Sequence, residues 1–140
     1  MTKKERYEEI EKACDEFRHS HMIILRTSKK DDSGAVELML PMTYNDGDGV
    51  AVFITPYHDD SGYVCVSDGG GTSFHHMLNE KEVEELSERY HLSHGNFYGD
   101  EPPFECDLYD VVKLDKIDEA IMGIIMAIQD SYLYVARHNM

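Results

Sequence analysis

The chain has 140 residues, 41% hydrophobic and 29% charged, which is the length and composition of one soluble globular domain with a single core. It carries 28 acidic against 13 basic residues, a net charge of −15, and such a surface repels phosphate backbones, which argues against direct binding to duplex nucleic acid. No apolar run approaches the roughly 20 residues that span a bilayer, and the three cysteines, Cys14, Cys65 and Cys106, are too widely spaced for a disulfide framework or a zinc knuckle.

The N-terminus carries lysines but no apolar stretch of a secretory signal. The expectation is therefore a cytoplasmic protein, one domain over residues 1–140, whose thiols act as small core hydrophobes. Thr2-Lys3-Lys4-Glu5 has the form of a capping box. Tyr7, Ile10, Cys14 and Phe17 follow at spacings of three and four, which predicts a helix over about residues 3–18. His19-Ser20-His21 breaks that pattern, and residues 22–27 read as a first strand. Val36, Leu38, Leu40 and Met42 alternate with their neighbours as a half-buried strand does, and Pro41 marks a strand end or an edge.

Turn signals at residues 45–49 and 59–62 bracket two further strands, 50–55 and 63–67. Connections this short favour an antiparallel meander, because parallel strands need a long crossover. Beyond Gly69-Gly70-Gly71 a short helix, capped by Thr72 or Ser73, holds Phe74, Met77 and Leu78, and Val83, Leu86 and Tyr90 continue the helical spacing. Residues 93–103 read as irregular, and residues 106–113 as a fifth strand. Ile117, Ile121, Ile124, Ile125, Ile128 and Tyr132 form a wide apolar stripe on a last helix that starts near an Asp115 cap. Gly123 within it predicts close packing. The fold class is thus α+β, an antiparallel meander of four or five strands with the N- and C-terminal helices packed on one face.

Chemistry concentrates where the fourth strand ends. Ser67-Asp68-Gly69-Gly70-Gly71-Thr72 sets a carboxylate beside free amides at a helix start, an arrangement that holds an anion or serves simply as turn and cap. Neither nucleotide-binding glycine fingerprint is present. If the third and fourth strands form a hairpin, Asp48 and Asp68 share one end of it, and two carboxylates there suit Mg²⁺. Asp46, Asp59 and Asp60 read as turn residues. The pairs His75-His76 and His91/His94 lack the further ligands of a zinc site and read as solvated or capping. Ligand-binding candidates are Asp48, Asp68, Gly69, Gly70 and Thr72. No catalytic set, metal site or cofactor is assigned. The aromatics Tyr44, Tyr57, Phe97 and Tyr98, with Tyr109, are placed on exposed turns and loops as partner-binding candidates.

The stretch Pro41, Asp46-Gly47-Asp48, Val50-x-Val52-x-Ile54, Gly62-Tyr63-Val64-x-Val66-Ser67-Asp68-Gly69-Gly70, then Leu78 and Ile128-Gln129-Asp130, resembles the bacterial and phage domain-of-unknown-function family DUF1828. The resemblance covers about residues 20–135 and singles out Asp48, Asp68 and Gly69. Here Ser67 and three glycines replace the more usual Thr and single glycine. It implies a prokaryotic or mobile-element setting and no activity. The function expected is a non-enzymatic protein-interaction module meeting a partner with a basic surface. A homodimer and a metal-assisted enzyme or phosphate-ligand binder built on Asp48 and the Asp68-Gly69-Gly70 turn stay open.

Overall fold

Period-two burial builds the sheet. The computed structural model describes residues 2–21, 26–29, 36–57, 62–95 and 107–138. Val36, Leu38 and Leu40 of β2 (Val36–Thr43) are buried, as are Val50, Val52 and Ile54 of β3 (Gly49–Tyr57) and Val64 and Val66 of β4 (Tyr63–Ser67). With β1 (Arg26–Lys29), β5 (Ser93–Gly95) and β6 (Asp107–Lys113) they form one sheet, antiparallel throughout, in the order β1-β2-β3-β4-β6-β5.

Both terminal helices cover one face. α1 (Lys3–His21) lies on β2 and β3, α4 (Ile117–His138) lies on β4 and β6, and the two touch. Ile10, Cys14 and Phe17 from α1 meet Ile121, Ile124 and Ile128 from α4 in the common core. Each large aliphatic side chain fully buried there contributes about 1.5–3 kcal/mol. The α+β class and the placement of the terminal helices are as the sequence predicts.

Several boundaries differ. The sheet has six strands, and the last two do not continue the meander. From β4 the chain passes through α2 (Gly71–His75) and α3 (Glu80–Arg89) to the outer edge as β5, and β6 then inserts between β5 and β4. Ser93-His94-Gly95 carries no apolar alternation, so only its ladder to β6 makes it a strand. α1 runs on through His21, because residues 18–21 contain neither Pro nor Gly to stop it. Residues 22–25, expected in the first strand, lie outside the described residues. The strand that follows is 26–29.

Pro41 sits inside β2, where the register to β3 slips between Met39 and Thr43, so the missing amide donor falls at an irregularity. The helical spacing after Gly71 is interrupted by Asn79, whose side chain accepts from Glu82 N while Glu82 caps back onto Asn79 N, and this capping box starts α3. Asp115 lies within a 3-10 turn, Leu114–Lys116, ahead of α4 rather than capping it. A Cβ at Gly123 would meet Leu92 at 3.7 Å, an ordinary contact, so no close approach requires glycine there. Cys14 and Cys65 are buried thiols, each pushed up to about 12 chiefly by burial, and both are inert core residues as expected. Cys106 lies outside the described residues.

Candidate functional site

The polar groups collect at one end of the sheet, where β2 turns into β3 and β4 runs into α2. Asp68 and His76 are buried there, each with its own partners, while Asp46, Asp48 and His75 form an open cluster.

Asp68 is a buried carboxylate at this end of the sheet. It is 2% exposed. Its Oδ1 accepts from Gly70 N at 2.9 Å and Leu108 N at 3.0 Å, and its Oδ2 accepts from Thr72 N at 3.3 Å. The N-cap of α2 is Gly70 rather than Thr72 or Ser73, and the Asp68 carboxylate accepts the Thr72 amide in the first turn and ties the end of β4 to β6. Burial pushes the Asp68 carboxyl above the usual range, against the opposing pull of those amides. The glycines make room for this. Gly70 sits at φ 79°, and a Cβ on it would lie 2.7 Å from Asp107 Oδ1. A Cβ on Gly71 would lie 2.5 Å from the Tyr44 hydroxyl, so the third glycine admits that ring.

His76 is buried with a separate set of partners. Its Nε2 accepts from Asn45 N at 3.0 Å, so Nδ1 carries the proton and donates to Ser131 Oγ at 2.7 Å, which donates on to Ile128 O at 2.5 Å. The neutral imidazole satisfies every partner and links the 44–48 turn, α2 and α4. Burial holds its pKa below the ordinary histidine value, consistent with that tautomer. Tyr132 packs edge-on against it, 4.5 Å between centroids, and donates its hydroxyl to Thr43 O.

The open ring is Asp46, Asp48 and His75. Gly47 N–H donates to Tyr44 O at 3.0 Å and Asp48 N–H to Asp46 Oδ1 at 3.1 Å, which sets the two carboxylates side by side on the turn. His75 Nδ1 lies 2.5 Å from Asp46 Oδ2 and 3.6 Å from Asp48 Oδ2. One ligand atom from each residue falls within 4.8 Å of the others. The hydrogen bond from His75, then the Asp48 amide, holds the Asp46 carboxyl below its usual value. Tyr44 stacks on the His75 imidazole at 4.6 Å and 15°, fixing its plane.

Beside this ring, α2 and the turn that ends it leave two apolar side chains in solvent. Phe74 is 77% exposed and Met77 80% exposed. Leu78 N–H donates to Ser73 O at 3.0 Å and Met77 N–H to Phe74 O at 3.4 Å, a Schellman ending with Met77 at φ 55°, the position that favours glycine. His91 fills the same role after α3 at φ 56°.

The sequence-derived candidates are therefore split. Asp48 joins Asp46 and His75, while Asp68 and Thr72 are buried and Gly69 and Gly70 form the turn between them. Tyr44, expected on an exposed turn, is only 3% exposed because Gly71 gives its ring a seat. Burial pushes its hydroxyl upward, with the Asp68 charge adding to the effect. Tyr57 and Tyr109 are half-buried on strands, and Phe97 and Tyr98 lie outside the described residues. His76, expected as solvated or capping, occupies the C-cap position of α2 but with its ring buried. His75, read as solvated or capping, was missed as a partner of Asp46 and Asp48, and Phe74 and Met77, read as helix residues, were missed as surface groups; five helical residues are too few for periodicity to tell inside from outside. Among the described residues no helix is long and apolar enough to cross a membrane. No protein-family model, curated protein or solved structure matches the chain.

Proposed function

We propose that this α+β protein is a non-enzymatic interaction module of the cytoplasm that docks on a partner protein through α2. The observation that carries the reading is Met77, a large apolar side chain held out to solvent at a backbone position where glycine costs less, with Phe74 beside it. Such a side chain contributes no burial to the fold and is placed to make a contact outside the chain. The carboxylates of Asp46 and Asp48 next to it, and the net charge of −15, suit a partner with a basic surface. The resemblance to DUF1828 is consistent with a prokaryotic or phage setting and adds no activity.

The test separates binding from folding. Met77→Gly is expected to raise stability by about 1 kcal/mol, and Phe74→Ala to leave it within about 0.5 kcal/mol. Both should weaken affinity capture of the partner from cell lysate by at least about tenfold. Equal capture by wild type and both variants would end the reading. Concentration-dependent sedimentation abolished by the same variants would make the partner a second copy of the chain.

A second reading is favoured by the Asp46, Asp48 and His75 cluster. One imidazole nitrogen and two carboxylate oxygens within 4.8 Å suit a borderline divalent cation such as Zn²⁺ or Mn²⁺. A cation so held keeps positions free for a phosphate or carboxylate oxygen. Asp68 does not take part, since both its oxygens accept backbone amides. A cation that binds only the folded chain raises its melting midpoint. The reading expects Zn²⁺ or Mn²⁺ to do so for wild type and not for Asp48→Asn or His75→Ala. An unchanged wild-type midpoint would leave the cluster as an exposed hydrogen-bonded contact between the turn and α2.

A further inference from the structure

The opposite end of the sheet carries a second surface, about 20 Å away along the seven residues of β6. There α1 passes over the 3-10 turn and the start of α4, leaving a notch of about 200 Å³. Its apolar lining comes from Ala13, Phe17, Leu114 and Ile117, and its rim from Glu16, Asp115 and Asp118. The volume is below the roughly 300 Å³ at which pockets for whole small ligands begin. It suits one side chain rather than a nucleotide or cofactor.

Charge selects which side chain. Of the carboxylates at this end, Glu119 faces Lys116 at 3.9 Å. Among the described residues Glu16, Asp115 and Asp118 have no cationic partner. Asp115 and Asp118 favour the start of α4 through its dipole. That role does not account for Glu16, which reaches the same notch from α1 on the facing wall.

We propose that the notch is a docking point for an arginine side chain of a basic partner protein. The aliphatic stem lies along Phe17, Leu114 and Ile117, and the guanidinium reaches the carboxylates at the rim. A planar head that donates to two carboxylates at once is favoured over a point charge. The proposal stands apart from the α2 reading, and Met77→Gly leaves it untouched.

The probe is the peptide acetyl-Gly-Gly-Arg-Gly-Gly-amide, with citrulline replacing arginine as a neutral control of the same shape, titrated into the full chain and followed by amide NMR shifts. Shifts are expected at Ala13, Phe17 and Ile117 with the arginine peptide and not with the citrulline one. Glu16→Gln with Asp118→Asn should weaken binding by roughly tenfold. Glu84→Gln with Glu88→Gln removes the same charge from the exposed face of α3 and should leave it within twofold. Equal weakening by the two double variants would reduce the effect to general acidity and overturn the proposal. Equal shifts with citrulline, or no shifts at those three amides while thermal melts show the chain folded, would overturn it as well.

Discussion

Asp68 and His76 share residue types with Asp48 and His75, stand at the same end of the sheet, and meet opposite fates. The inner pair is buried and fully engaged by backbone and hydroxyl groups. The outer pair is open, and its ligand atoms face one another. Residue type does not distinguish them; the neighbours do. Leu108 N–H reaches Asp68 from β6, and Ser131 reaches His76 from α4, so the polar atoms of these two side chains have partners. No amide or hydroxyl from those elements reaches His75, whose ring is left with Asp46 and Asp48 on one side and Tyr44 stacked on its face.

That contrast is broken most directly at Asp68. Asp68→Ala strands three backbone amides, two of them buried away from water, and is expected to cost about 3–5 kcal/mol in urea unfolding. If it costs no more than Asp48→Ala, Asp68 is not the anchor of α2.

A smaller effect is expected from pH. His76 has its pKa lowered in the folded chain by burial. Between that lowered value and about 6.5, the value of the unfolded chain, the unfolded state binds a proton that the folded state refuses. Stability therefore rises with pH through this window and is lost as pH falls below about 6.5. Asp68 acts with the other sign. Its carboxyl is raised, so just above the ordinary aspartate value, about 3.9, the folded chain takes up a proton first and acidification stabilises. Unfolding of wild type and His76→Asn from pH 7.5 to 5 should show the slope reduced in the variant; equal slopes would assign the pH dependence to other histidines.

The smallest stability effect belongs to the outer ring. Asp48→Asn and His75→Ala should leave the melting midpoint nearly unchanged without added cation. A large loss from either would make the outer ring structural too and erase the distinction.

The sequence by itself determined the strands with alternating apolar residues, the helices with spacings of three and four, and the Asp68 turn. Those patterns record burial on one face, and local chemistry suffices to write them. It did not determine β5, whose three residues become a strand only through their ladder to β6. Nor did it determine which of two adjacent histidines turns inward, or that Tyr44 is buried while Phe74 and Met77 are exposed. Those outcomes depend on groups remote in the chain: Asp46 lies 29 residues from His75, and Ser131 lies 55 residues from His76. The site at this end of the sheet is made by long-range packing, and packing of that kind leaves no period in a sequence.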